Sequence, residues 1–223
     1  MPRAKLHFPN RPGFFLVIEG PDGSGKTTLA RRLIRAYRSS GWVVCPVREP
    51  GGTKLSERVR RLVLDVKGTA MGGRAEMFLY LAARAQLVDD VIRPALARGE
   101  MVIADRFSLS TYAYQSAGRG LPLFEVAGAD QIARNGLVPE LTIVLMVSEA
   151  EAQRRLQRLG RRPDRIERES QRFHRAVNAF YERWGRLKPQ HVLIDARVGA
   201  DEVFREAKRV IEGRLRRLSR VGR

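Results

Sequence analysis

The sequence predicts an α/β fold in which one parallel sheet is interleaved with helices. Three observations predict it. Five short apolar runs, Phe14–Ile18, Trp42–Val47, Met101–Asp105, Leu141–Val147 and His191–Asp195, have the length of buried parallel strands. Segments of helical periodicity separate them, the pattern of β-α units. Between the first run and the first helix lies Gly20-Pro21-Asp22-Gly23-Ser24-Gly25-Lys26-Thr27, which fits the phosphate-binding pattern G-x-x-x-x-G-K-[ST] at every fixed position.

The context of that loop gives it physical meaning. Leu29, Ala30, Leu33, Ile34 and Tyr37 recur at helical spacing, so a helix opens at about Gly25. Three glycines permit backbone angles that a Cβ resists. The loop amides then converge on a phosphate chain, helped by the positive end of the helix dipole. Lys26 is placed to reach the β- and γ-phosphates of ATP, and the Thr27 hydroxyl to bind Mg²⁺.

Composition sets the bounds. A chain of 223 residues, 43% hydrophobic, is long enough for one α/β domain with a sizeable core. No apolar run reaches the roughly 18 residues of a membrane span. The basic stretch Met1–Gly13 lacks the apolar centre of a secretory signal, and Cys45 is the only cysteine. These features predict a cytoplasmic enzyme without disulfides: a leader over residues 1–13 and a single domain over 14–223. The formal charge of +18, from 42 Lys+Arg against 24 Asp+Glu, would attract polyanions. The arginines are spread along the chain with no aromatic-interleaved basic module. A nucleotide-binding surface with a general arginine bias therefore accounts for the charge, and no nucleic-acid partner is expected.

After the second strand comes Arg48-Glu49-Pro50-Gly51-Gly52-Thr53, a shaped turn at the carboxyl edge where open α/β sheets bind ligands. Arg48 would present a planar fork to a phosphate. Leu55–Val66 reads as a helix, Gly68–Gly73 as a break, and Ala75–Arg98 as a long helix that Pro94 kinks. Tyr80 and Arg84 stand four apart on one face of it. Spacing alone leaves two readings, a ring and guanidinium that sandwich a flat base, or a core tyrosine beside a surface arginine, and favours the second. The third strand ends in Asp105, the form in which a carboxylate holds Mg²⁺ beside a phosphate loop. Arg106 follows at the same edge, and Phe107–Gln115 is rich in hydroxyls that a base and sugar would satisfy.

Phe124–Ala133 and Glu149–Leu159 read as further helices, and Ile166–Trp184 as helix resumed. Between the last two lies a basic loop, Gly160–Arg165, preceded by Arg154, Arg155 and Arg158. As a lid over about residues 154–166 it would close arginines over a transferring phosphate; the alternative is a solvated tip. Val203, Phe204, Ala207, Val210, Ile211, Leu215 and Leu218 mark the apolar face of the last helix.

The landmarks Glu19 to Thr28, Arg48 to Thr53, Ala82-Ala83-Arg84-Ala85-Gln86, Asp105-Arg106, Ser110 to Gln115 and Pro139-Glu140-Leu141-Thr142 together resemble the thymidylate kinase family over about Phe14 to Ile211. The resemblance implies a P-loop NTPase-type, doubly wound five-stranded parallel sheet, usually in a homodimer. It implies ATP- and Mg²⁺-dependent phosphorylation of dTMP to dTDP, with Gly20 to Thr28 around the ATP phosphates and Thr27 and Asp105 at the metal. It places Arg48 and Arg106 on the dTMP phosphate within a set that includes Glu49, Pro50 and Ser110. It stacks Tyr80 on thymine, turns Arg84 to O4, and sets Thr111 and Gln115 among base contacts. Tyr114 would crowd the sugar 2′ position, and Asp22 would organise the acceptor phosphate and its metal. The loop holds Gly23 and Ser24 but no arginine, which is similar to the bacterial lid-arginine type, with Arg155, Arg158, Arg161 and Arg162 as candidates. One position departs: the fourth strand usually ends Leu-Asp-Val, and here it ends Leu145-Met146-Val147. The missing carboxylate would weaken a metal or lid contact, or mark a divergent substrate. The rival activities are a kinase for another nucleotide or nucleoside, a basic nucleic-acid-binding ATPase, and a relative that binds nucleotide without turnover.

Overall fold

Phe14–Glu19 forms β1, and each of its six residues is buried. The computed structural model describes residues 13–68, 70–158, 160, 162–185 and 188–221. Among these, β1 pairs in parallel with β3 (Met101–Asp105) on one side and β4 (Leu141–Met146) on the other. Outside them lie β2 (Val44–Arg48) and β5 (His191–Asp195), giving a five-stranded sheet in the order β2-β3-β1-β4-β5. The chain goes to one side of β1 for β2 and β3, then to the other for β4 and β5. Such a reversal opens a crevice beyond the carboxyl ends of the central strands.

Both faces of the sheet are covered, which is why β1 reads as continuous apolar sequence. Phe14, Leu16 and Ile18 pack with α1 (Lys26–Ser39) and α9 (Ala200–Val221) through Leu29, Leu33, Ala207 and Ile211. Phe15 and Val17 point the other way, toward Leu87, Val88, Ile92 and Ala95. α2 (Lys54–Leu64) opens under the Thr53 side chain, which accepts from Ser56 N at 3.0 Å. α6 (Leu123–Ala133) packs on α3 (Gly73–Leu87), and α7 (Glu149–Arg158) follows β4.

Two elements differ from expectation, and a segment for which the sequence predicts no element is helical. The run expected over 75–98 is helical throughout 73–97, but it is not a plain α-helix kinked at Pro94. α3 ends at Leu87, Val88–Ile92 winds as a wider π turn, and α4 (Arg93–Ala97) carries Pro94 in its first turn. Pro94 follows directly on that wide turn, where the loosened hydrogen-bond ladder accommodates its ring and its missing N–H. The hydroxyl-rich segment is helical: α5 (Ser108–Thr111) runs into a second π turn over Tyr112–Gly118. The helix expected from Ile166 begins five residues later, as α8 (Gln171–Trp184). The Asp164 carboxylate accepts from Ile166 N and Glu167 N at 3.0 Å and folds a turn there, and Ser170 Oγ caps Phe173 N. Residues 1–12 of the expected leader lie outside the described residues. No helix among the described residues is long and apolar enough to cross a membrane.

Candidate active site

The glycine loop turns directly from β1 into α1. Gly20 adopts φ +134°, and a Cβ there would stand 2.3 Å from Leu145 O, so only glycine fits. Gly25 sits at φ +95° before the first turn of α1. Lys26 is buried, and its ammonium donates to Gly20 O at 2.9 Å and Pro21 O at 2.7 Å. Burial, then repulsion by Arg106, brings its pKa down to about 8, against the opposing pull of Asp22, Asp105 and Glu19. One turn of chemistry away, Thr27 Oγ1 donates to Asp105 Oδ2 at 2.7 Å across the β1–β3 edge. A hydroxyl and one carboxylate are hard oxygen donors of the kind Mg²⁺ takes when substrate phosphates complete its shell. Among the described residues no group of three His, Cys, Asp or Glu side chains forms a cage of its own. The residues present therefore fit a phosphate-shared ion.

Arg106 comes directly after β3 in a left-handed backbone conformation, φ +78°, rare for a residue with a Cβ. Buried Glu19 holds that turn. Its Oε1 accepts from Phe107 N at 2.8 Å and Ser110 N at 3.1 Å, and its Oε2 from Ser110 Oγ at 2.7 Å and Tyr181 Oη at 2.9 Å. The Arg106 guanidinium, aimed back at the loop, donates to Asp22 Oδ1 at 2.5 Å, to Ser110 Oγ at 2.9 Å and to Tyr114 Oη at 3.1 Å. Tyr114 Oη donates to the other Asp22 oxygen at 2.7 Å. Burial works to raise the Asp22 pKa, but Arg106 and Lys26 beside it hold the carboxyl far below the usual range.

Farther along the crevice, Glu76, Tyr80 and Arg84 stand on one face of α3. Arg84 is buried rather than at the surface. It donates to Glu49 through Nε and Nη2, to Thr111 Oγ1 at 2.8 Å and to Asp130 Oδ1 at 2.6 Å. Burial opposes its charge, and Glu49 and Asp130 outweigh that effect. Gln115 Nε2 donates to Glu76 Oε1 at 2.9 Å. Arg48, largely exposed, leans 3.5 Å from Glu57.

A cavity of about 940 Å³ joins these parts. Every predicted site residue lines it except Gly20, Pro21 and Ser24 of the loop and two lid arginines, Arg158 and Arg162; Arg161 lies outside the described residues. Of the described lid candidates only Arg155 lies on the cavity, with Nη1 3.9 Å from where a Gly25 Cβ would be. It donates to Ala196 O at 2.7 Å and Glu151 at 2.8 Å. The cavity also has Arg60, which donates to Pro50 O at 3.0 Å, and Asp164. Neither was singled out by sequence. For Arg60 a signal existed in its place two turns along the helix after the Arg48 loop. Glu19, Glu76 and Asp130, fully buried acids that hold site side chains, gave none. Met146 at the end of β4 packs beside the cluster of Phe173, Val177 and Tyr181, so an apolar contact occupies the place of the expected carboxylate. Asp195 is its neighbour in β5 but pairs with Arg197.

A family model described as thymidylate kinase matches residues 18–207. The chain is 41% identical to the thymidylate kinase of Pseudomonas putida (strain GB-1) over 92% of this chain and 98% of that protein. It is 42% identical to that of Leifsonia xyli subsp. xyli over the same shares. Among solved structures it is similar to thymidylate kinase from Ehrlichia chaffeensis, with a TM-score of 0.70, 26% identity and coverage of 89% of this chain and 98% of that one.

Proposed function

We propose that this chain, which belongs to the thymidylate kinase family, transfers the γ-phosphoryl group of ATP to a phosphate oxygen of dTMP, releasing ADP and dTDP. The observation that carries this reading is the continuity of one cavity. The phosphate loop lines one end, Tyr80, Arg84 and Gln115 line the other, and Arg106 stands between them. The acceptor phosphate is already anionic, so in-line transfer needs positioning and charge neutralisation rather than a strong base.

In this reading the loop amides and Lys26 hold the donor phosphates. Arg48, Arg60 and Arg106 hold the dTMP phosphate, and Asp22 orients Arg106 toward it through their 2.5 Å pair. Tyr80 stacks on the base, Arg84 donates to O4, and Thr111 and Gln115 contact the base edge. Tyr114 fills the space of a 2′-hydroxyl. Thr27 and Asp105 would hold Mg²⁺, which when bound neutralises charge on the β- and γ-oxygens. The segment over residues 154–166 acts as the lid, with Arg155 the arginine nearest the loop.

The protein works in the cytoplasm as a homodimer in this account. What supports the dimer is an apolar junction of α3 and α6. Phe78, Phe124 and Ile132 are 59%, 78% and 82% exposed, and Arg74 reaches Glu125 between the two helices one turn from Phe78.

An ADP-release assay across dTMP, dUMP, dCMP, dGMP and thymidine tests the reading. ADP production that depends on dTMP above the others is expected. Stimulation by DNA or RNA in place of dTMP would contradict it, as would ATP binding with no dTMP-dependent release.

A further inference from the structure

Glu76 has no part in holding phosphate, yet it is wholly buried and meets three donors. Arg119 reaches it at 2.9 and 3.1 Å, Arg165 at 2.6 Å, and Gln115 Nε2 at 2.9 Å. Burial works to raise its pKa, and the hydrogen bonds from Arg119, Gln115 and Arg165 outweigh that, leaving the carboxyl below its ordinary value. It is therefore ionised at neutral pH, and an ionised carboxylate only accepts hydrogen bonds.

That fixes a side chain whose direction is otherwise free. A glutamine amide has a donor end and an acceptor end of nearly the same shape. If the Gln115 amide were flipped, its oxygen would stand against a Glu76 oxygen, two acceptors with no proton between them. The nitrogen must face Glu76, and the oxygen is the end left for a ligand in the cavity that Gln115 lines. Arg84 is fixed in the opposite sense. Its partners Glu49, Asp130 and Thr111 each accept from it, and a guanidinium has nothing but donors. The two groups form rungs of one ladder: Arg84 to Thr111, and Glu76, two turns earlier on α3, to Gln115, one turn later on the facing helix. Tyr80 lies between the rungs, four residues from each end on α3.

We propose that Glu76 is a specificity-determining positioning residue: by setting the polarity of Gln115 opposite to that of Arg84, it makes the site read a ring N–H beside a ring carbonyl. Thymine and uracil present that edge. Cytosine presents an amino group and a bare nitrogen, the inverse at both places. The inference rests on the assignment of dTMP as acceptor.

The test compares dTMP with 5-methyl-dCMP, which differ only at that edge, by kcat/KM in the wild type, Glu76→Gln, Arg119→Gln and Arg165→Gln. A glutamine at 76 can meet either end of the Gln115 amide. The ratio of the two kcat/KM values should fall about tenfold or more in Glu76→Gln, the scale set by one unpaired buried polar group. It should hold in the two arginine variants, which keep the carboxylate. An unchanged ratio in Glu76→Gln overturns the proposal, and so does an equal fall in Arg119→Gln or Arg165→Gln, which would assign the effect to packing around the lid root. If Glu76→Gln does not fold, Gln115→Met replaces it: the same fall is expected, and an unchanged ratio overturns the proposal. Failure of the wild type to phosphorylate dTMP at all would instead sink the acceptor assignment beneath it.

Discussion

Buried from water and then crowded by Arg106, Lys26 has its pKa lowered to about 8, below the ordinary lysine value. A bound triphosphate favours the charged form and raises that pKa again. ATP binding should therefore take up a proton, about half at pH 8 and most strongly between that value and the raised pKa of the complex, and ATP affinity should fall as pH rises past 8. Calorimetry in buffers of different ionisation enthalpy reads the uptake directly, and none at pH 8 would contradict the assignment. The unfolded chain keeps its lysine proton to higher pH than the folded one. The cost of burying Lys26 is thus full below pH 8 and shrinks as pH rises toward the unfolded value. Lys26→Ala should lower turnover about 10³-fold or more with little change in melting temperature, because it removes a phosphate-binding cation and no core contact; wild-type turnover in that variant would refute the role. Residues of this kind were legible because the chemistry demands their type at their spacing. Glu19, Glu76 and Asp130 were not. An acid within a helix reads as a solvated position, and Glu19 at the end of an apolar strand reads as part of the loop beyond it; only the fold reveals that arginines, tyrosines and backbone amides surround them.

Among elements, the strands and the loop were legible since a buried parallel strand is a run of apolar residues and nothing else. The π turns were not. Val88–Ile92 keeps its buried face, so the apolar spacing resembles that of an ordinary helix, and the extra residue per turn shows only in the backbone. The start of α8 was placed too early because Ile166 is buried and fits the periodicity, while the Asp164 turn and the Ser170 cap interrupt the helix between them. That interruption matters to the proposed lid, which runs from α7 to this turn. Arg155 faces the loop from the last turns of α7, whereas Arg158 is exposed and off the cavity. Arg155→Ala should lower kcat by about tenfold or more, on the scale of cations that stabilise transferring phosphate, with Arg158→Ala well behind it. Steady-state kinetics with both substrates saturating distinguishes them, and the reverse order would move the acting arginine toward the lid tip.

At the scale of the molecule, the family and the five-stranded parallel sheet agree with what the motifs implied, and the parallel strands put the segments after β1, β2 and β3 at one sheet edge. The strand order was not legible, since no single strand's sequence names its neighbours. The +18 charge has a use within this arrangement, as a field that draws two polyanionic nucleotides to one crevice. Phe124→Glu in α6 should turn the proposed dimer into a monomer in sedimentation, while a dimer unchanged by that substitution would place the interface elsewhere. The account's central claim is that donor and acceptor phosphates meet end to end in one cavity. A bisubstrate compound joining adenosine and thymidine through five phosphates measures this most directly. By titration calorimetry it should bind one per chain, tighter than ATP or dTMP alone, and be displaced by either; binding no tighter than ATP, with dTMP unable to displace it, would contradict the claim.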